Sequence, residues 1–199
     1  MKLVGILLAA GSGVRFGGDK LLAPLRDGDA GAAVGVTACR NLIAAVPEVV
    51  AVVRPGDAPL AAALAAAGAR VVECAQAADG MGASLACGVR AAPDADGVIV
   101  ALADMPWIAP ATIQRIAAAL ESGAPLAAPF HAGQRGHPVG FGRTCRAELA
   151  ALGADEGAKS VVAGHRDALV RIDVDDPGIL RDVDTPQDLT TPRAPHSAA

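Results

Sequence analysis

Polar and apolar positions fall into two kinds of run that take turns along this chain. Short aliphatic runs at residues 3–8, 49–53, 70–74, 97–102, 126–129 and 138–141 read as strands. Longer alanine-rich runs at 33–45, 58–67, 82–92, 110–121 and 144–152 read as helices. Three shorter segments, 158–163, 168–173 and 187–189, close the pattern. Alternating strand and helix predicts a mostly parallel sheet with helices on both faces. The expected architecture is a single-domain, three-layer α/β/α, Rossmann-like fold over residues 1–190. Residues 191–199, TPRAPHSAA, have the composition of a disordered tail. In open α/β sheets ligands sit outside the carboxyl ends of the strands, which singles out the residues just after each strand.

Composition narrows the classes of partner. A chain of 199 residues that is 52% hydrophobic can bury a sizeable core. A net charge of −4 and a pI near 5.5 argue against nucleic acid, which selects a basic footprint. Small anionic ligands need only local positive charge. Cys39, Cys74, Cys87 and Cys145 are scattered without a Cys-x-x-Cys pair, so free thiols in a reducing cytoplasm are expected. The apolar run after Lys2 flows straight into a glycine loop, unlike a secretory signal. No uninterrupted apolar segment reaches the ~20 residues that a membrane-spanning helix needs. The expectation is a soluble, cytoplasmic protein with no membrane partner.

Candidate chemistry concentrates at residues 8–20, LAAGSGVRFGGDK, where the first strand ends. A glycine-rich turn there uncovers backbone N–H groups that can wrap a phosphate chain. Leu8, Ala9, Ala10, Gly11, Ser12 and Gly13 supply that backbone. Arg15 and Lys20 add a forked donor and a point charge, a pair suited to a triphosphate. The loop is not a P-loop, because no glycine-lysine pair is followed by a hydroxyl residue. Nor is it the dinucleotide fingerprint, because Phe16 stands where the third glycine belongs.

Other strand ends carry candidate groups, each with a structural alternative. Asp104, in Ala103-Asp104-Met105-Pro106, can hold Mg²⁺ against substrate phosphates, or can cap the helix that follows. Asp182 and Asp184, two apart on an extended segment, point to one face and would repel unless a cation, a proton or solvent relieved them. Alternatively Asp184 or Thr185 caps a short helix opened by Pro186. Gly82 and Ser84, in residues 80–85, GMGASL, offer N–H donors and a hydroxyl to a base or ribose, or simply start a helix. Arg135 and His137 lie in Arg135-Gly136-His137-Pro138, where a lone histidine also has an ordinary structural reading. His131, His165 and His196 have no partner at metal-ligand spacing and are read as surface residues.

The string Leu-Ala-Ala-Gly-x-Gly-x-Arg-Phe-Gly-x-x-Lys resembles the signature loop of the molybdopterin nucleotidyltransferases, a branch of the MobA-like NTP transferases. Resemblance extends from Leu3 to Leu189 through several separated strings. Ala-Asp-Met-Pro matches the second signature and implies a metal role for Asp104. Asp-x-Asp-Thr-Pro-x-Asp looks like the third, implying that Asp184 is a second metal-associated aspartate and Asp182 a supporting residue. Gly-Met-x-x-Ser-Leu and Ala9-Ala10-Gly11 resemble the cytidylyl-transferring branch, where the guanylyl branch has Gly-Pro-Leu-Ala-Gly and Ala-Gly-Gly. Gly-His-Pro resembles the acceptor-binding side of the cytidylyltransferases, implying acceptor-phosphate contacts from Arg135 and His137. Two departures stand out: residues 27–35 replace the usual Gly-x-Pro-Leu-Leu segment, and Ala154 and Lys159 stand where Gly-Asp-x-Gly-Ala-Arg has glycine and arginine.

The implied activity is transfer of a nucleotidyl group, CMP from CTP, to the phosphate of molybdopterin with release of pyrophosphate. Lys20, Arg15 and Asp104 would carry the chemistry, Asp104 and Asp184 would hold Mg²⁺, and a molybdoenzyme or its chaperone would receive the product. Two alternatives stand beside it: a guanylyl or other NTP transferase acting on another phosphorylated acceptor, and a non-catalytic protein that delivers a bound nucleotide or cofactor.

Overall fold

The computed structural model describes residues 1–11, 16, 18–26, 31–153 and 156–189. Strands β1 (Leu3–Leu8), β2 (Val49–Val53), β3 (Arg70–Glu73) and β4 (Gly97–Leu102) are parallel, with β1 central between β2 and β4. Helices α1 (Val34–Ile43), α2 (Ala58–Ala66) and α3 (Met81–Arg90) make the crossovers between them. Beyond β4 the chain continues through α4 (Pro110–Glu121), β5 (Leu126–His131), β6 (Gln134–Arg135) and β7 (Val139–Phe141). Then come α5 (Arg146–Ala150), α6 (Ala158–Gly164) and β8 (Leu169–Asp173). The eight-stranded sheet runs β3-β2-β1-β4-β7-β5-β6, with β8 also paired to β5. Strand β7 is antiparallel to both β4 and β5, while β8 is parallel to β5. The mixed, mostly parallel sheet with helices on both sides agrees with the expected class.

Alternation along each central strand divides the core in two. Leu7, Ala51, Ile99 and Ala101 face α1, α2 and α4, packing on Cys39, Leu42, Leu64, Ile113, Ile116 and Leu120. Val4, Ile6, Val50, Val52, Val98 and Val100 face α3, α5 and α6, packing on Leu85, Val89, Leu149 and Val161. Both strand faces are therefore apolar, as a sheet covered on both sides requires. Each buried aliphatic side chain contributes roughly 1.5–3 kcal/mol relative to exposure. That rigid double core is what holds the strand ends in place.

Several boundaries differ from the sequence reading. The helix expected over 144–152 is a 3₁₀ turn, Arg143–Cys145, followed by the short α5. The run at 168–173 becomes β8, because parallel pairing with β5 satisfies backbone groups that its own pattern does not assign. Strand β6 lies outside the elements the pattern predicts, being only two exposed residues paired to the end of β5. The four cysteines are free thiols, as expected. His131 is half-buried, with Nδ1 3.2 Å from the Val174 carbonyl oxygen. His165 pairs with Glu148 at 2.7 Å, so the surface reading holds for neither in full. His196 and the tail at 191–199 lie outside the described residues.

Candidate active site

Strands β1 and β4 are in register with Leu8 opposite Leu102, so the segments leaving their carboxyl ends emerge side by side. The Ala9 N–H donates to the Val52 carbonyl at 2.9 Å and the Ala103 N–H to the Leu8 carbonyl at 3.0 Å. Sheet-like bonding thus continues one residue past each strand and fixes both exits. Ala9 and Ala10 are buried, while Gly11 is exposed with open space on its side-chain side. The exits border a cavity of about 540 Å³, lined among others by Leu8, Ala10, Gly11, Lys20, Ser84 and Asp104. Ser12, Gly13 and Arg15 lie outside the described residues.

Lys20 reaches the same place from a different element. It opens a 3₁₀ turn, Lys20–Leu22, whose Leu21 and Leu22 pack against the core. Those two anchors orient the lysine, and its ammonium lies 2.8 Å from Asp104 Oδ2 and 3.7 Å from Asp184 Oδ1. The Lys20 and Asp104 side chains are only 12% and 25% exposed, so solvent screens their attraction weakly. Asp104 does not cap the next helix: α4 has Ala109 at its N-cap, and the Ala109 N–H donates to Asp176 Oδ2 at 3.0 Å. Its carboxylate is spent on Lys20 instead.

Asp184 arrives from the far end of the chain, across more than 160 residues of sequence from Lys20. The Val183 N–H donates to the Asp104 carbonyl oxygen at 2.8 Å, pinning the segment directly to β4's exit. Val183 is fully buried with Leu25, Val34 and Leu189, which gives the pin an apolar footing. Thr185 stands immediately before the 3₁₀ turn Pro186–Leu189, and its hydroxyl bonds to Asp188 within that turn. Asp188 Oδ2 accepts from the N–H groups of Asp184 and Thr185, at 3.2 and 2.7 Å, and from the Thr185 hydroxyl at 2.8 Å. Those bonds, the hydroxyl first, hold the Asp188 carboxyl below the usual carboxylate range. Asp184 Oδ1 faces the Lys20 ammonium across 3.7 Å.

The string at 80–85 forms another cavity wall. Gly80 precedes α3 at φ 144°, a conformation that side-chain-bearing residues rarely adopt. Met81 is exposed at the rim, and Ser84 is 4% exposed with its hydroxyl 3.4 Å from the Gly80 carbonyl oxygen. Gly82 turns away from the cavity: a Cβ there would overlap the carbonyl oxygens of Gly153 and Glu156. Its small size serves packing of α3 on that loop.

Arg135 and His137 lie apart from the cavity lining, on the β5–β6–β7 arm. Residues 126 and 127 of β5 pair with 141 and 140, whereas 130 and 131 pair with 135 and 134. The arm therefore holds two extra residues opposite β5, a bulge of the kind that re-aims side chains. Within it the Gly136 N–H donates to the Pro129 carbonyl and the His137 N–H to the Ile179 carbonyl, both at 2.9 Å. Arg135 is exposed; His137 is half-buried, and its Nδ1 is buried without a hydrogen-bond partner among the described residues. Burial pushes the His137 imidazole below its ordinary pKa, the Arg135 and Lys159 charges add to this, and Asp104 opposes it. His137 is therefore neutral at neutral pH and stands within electrostatic reach of both Asp104 and the basic pair.

Two residues contribute that sequence reasoning passed over. Arg54 follows β2 and lines the cavity beside Asp57, so inspection of every strand end would have found it. Asp176 is buried, accepting from the Thr112 hydroxyl at 2.6 Å and the Gly178 N–H at 3.0 Å. It ties α4 to the turn that leads to Asp184, and no local pattern signals a contact across 64 residues.

A mostly parallel sheet with a lysine and two carboxylates converging beside a cavity at the carboxyl ends of its strands is the arrangement in which open α/β proteins bind ligands. The chain belongs to the MobA-like NTP transferase family, whose model matches residues 5–169. It is 32% identical over 197 residues to the purine catabolism protein PucB of Bacillus subtilis (strain 168), covering 94% of this chain and 93% of the relative. Among solved structures it is similar to Rv0371c of Mycobacterium tuberculosis H37Rv, at 30% identity and TM-score 0.79 over 94% of this chain and 95% of that one. A structure of Rv0371c in complex with manganese matches at 29% identity and TM-score 0.68, over 96% and 94% of the two chains. A nucleotidyl transferase from Methanothermobacter thermautotroptrophicus matches at 26% identity and TM-score 0.78, over 94% of each chain. Nucleotidyl transfer is thus the reaction class, and NTPs are the family's substrates. No described helix is long and apolar enough to cross a membrane.

Proposed function

We propose that this protein transfers CMP from CTP to the terminal phosphate of molybdopterin, releasing pyrophosphate. The observation that carries the reading is the convergence of Lys20, Asp104 and Asp184 beside the cavity bordered by Gly11 and Ser84. An acceptor phosphate oxygen attacks the α-phosphorus, a new P–O bond forms, and the bond from the α-phosphorus to the β-phosphate bridging oxygen breaks. No protein nucleophile is needed, since such transfers rest on positioning and charge neutralisation. The backbone of residues 8–13 holds the nucleotide, while Arg15 and Lys20 neutralise the β and γ phosphates and the leaving pyrophosphate. Ser84 and the start of α3 border the base and ribose. Arg135 and His137 receive the acceptor phosphate, with neutral His137 acting as a hydrogen-bonding partner.

A divalent cation fits this donor set. Two carboxylates, both already drawn to one cationic group, supply hard oxygens and leave the remaining positions to phosphate and water. Among the described residues no group of three or more His, Cys, Asp or Glu side chains gathers, which suits an ion that arrives with phosphates rather than in a protein cage. Asp104 and Asp184 would hold it, and bound Mg²⁺ would offset charge on the reacting phosphate. The product would then pass to a molybdoenzyme or its chaperone.

A second reading keeps the chemistry and changes the substrates. The Bacillus relative is named a purine catabolism protein, which favours neither CTP nor molybdopterin by itself. Pyrophosphate release with each of the four NTPs, with and without molybdopterin, tests both readings. The expected result is release with CTP and molybdopterin together. Release with GTP instead, or with another phosphorylated acceptor only, supports the second reading; NTP binding without any release would leave a delivery protein.

A further inference from the structure

Lys20 lies against one oxygen of each of the two carboxylates that the proposed metal would use. Its ammonium contacts Asp104 Oδ2 at 2.8 Å and Asp184 Oδ1 at 3.7 Å, from a side chain only 12% exposed. A dication seated on Asp104 beside this ammonium would put like charges a few ångströms apart where solvent screens them weakly, Lys20 and Asp104 being only 12% and 25% exposed, so each disfavours the other. The lysine also cannot drift far, since Leu21 and Leu22 anchor its turn in the core. Its long stem nevertheless lets the ammonium alone swing toward the cavity, which Lys20 lines together with Gly11 and Gly18.

We propose that Lys20 is an internal counter-ion that holds the carboxylate pair closed to metal until a triphosphate draws the ammonium away. The proposal rests on the assignment of Asp104 and Asp184 as metal-holding residues. Nucleotide and metal then bind with positive coupling, since each favours the arrangement in which Lys20 has left Asp104. Lys20 thereby does two things: it neutralises phosphate in the loaded site, and it disfavours metal at a site with no substrate. A useful consequence is order. Metal enters with the triphosphate, and at all other times the single ammonium offsets part of the negative charge of the two facing carboxylates.

The test is Mn²⁺ binding by electron paramagnetic resonance to the nucleotide-free full-length protein, using wild type, Lys20→Met and the double variant Lys20→Met/Asp104→Asn. Methionine keeps the apolar stem and removes the charge. Lys20→Gln serves as the check should methionine perturb the turn, with circular dichroism confirming each fold. Wild type should bind Mn²⁺ weakly, and Lys20→Met at least ~10-fold more tightly, within the usual range of coupling between sites. Adding Asp104→Asn should erase that gain. Equal Mn²⁺ affinity for wild type and both single variants overturns the counter-ion role while leaving the metal assignment standing. A gain that survives Asp104→Asn overturns the metal assignment, and the proposal falls with it.

Discussion

The two halves of the sheet solve different problems. From β3 to β4 every pairing is parallel, each crossover is a helix, and the strand exits are rigid. From β7 outward the pairing is mixed, one arm is bulged, and the candidate acceptor residues ride on that arm. The first half brings Lys20 and Asp104 within 2.8 Å, a tolerance suited to holding a reacting phosphate. The second half carries Arg135 and His137 on the bulged arm, which joins the parallel strands through the pairing of β7 with β4. If Arg135 and His137 meet the acceptor, nucleotide chemistry and acceptor recognition ride on separate halves of one scaffold, and that separation is open to experiment.

Asp104→Asn puts the separation under the greatest stress. It keeps the shape of the side chain and removes the charge paired with Lys20. Turnover should fall ~10²-fold or more, the usual scale for losing a preorganised electrostatic contact in a transition state. The melting temperature should move by only a few degrees, since the pair lies at the cavity wall and the double core is untouched. Near-normal turnover would remove Asp104 from the chemistry and break the division of labour at its rigid half.

How much of this was legible follows the same division. The parallel half was readable because each of its strands is a short aliphatic run and each crossover an alanine-rich one, so β1, β2, β4, α2 and α4 fall close to their expected limits. Asp104 and Lys20 were readable because the glycine loop and the Ala-Asp-Met-Pro string sit directly after strands. The mixed half was harder. Strand β8 is exposed at Val170 and Arg171, so its sequence lacks the buried run that marks β1 or β4. The motif at 80–85 points Gly82 toward nucleotide and gives no sign of its tight packing against the carbonyl oxygens of Gly153 and Glu156. Asp176 gave no signal at all, because its partners Thr112 and Ala109 meet it only through the tertiary fold. Local pattern reports periodicity and turn chemistry; it does not report which distant donor a buried carboxylate finds.

Arg135→Ala probes the arm with a smaller expected effect. Arg135 is exposed on a two-residue strand, so its loss should leave stability within about 0.5 kcal/mol of wild type. If it meets the acceptor phosphate, the acceptor's KM should rise roughly 10-fold, as for loss of a charge-assisted hydrogen bond. The dissociation constant for CTP, measured by calorimetry, should stay unchanged. A variant that weakens CTP and acceptor alike would show that the two halves are not separable in function.

The smallest expected effect lies in the pH dependence of stability through His137. Burial holds its imidazole below the ordinary pKa, with Arg135 and Lys159 acting in the same direction and Asp104 against them. In the unfolded chain the ring titrates near 6.5, so as pH falls through that value the unfolded state takes up a proton before the native state does. Stability from this group is thus fully present above about pH 7.5 and declines as pH falls toward the native pKa. Between pH 7.5 and 5.5 the loss from one such histidine is at most about 1.4 kcal/mol. His137→Gln removes the titration while keeping a polar group, so urea denaturation of the variant should show a shallower decline over that interval than wild type. The Asp104 charge opposes the shift, so adding Asp104→Asn to an otherwise wild-type chain should steepen the decline. If both variants follow the wild-type curve, the arm and the rigid half do not communicate electrostatically, and His137 is a packing residue whose ring never feels the charges at the other half's strand end.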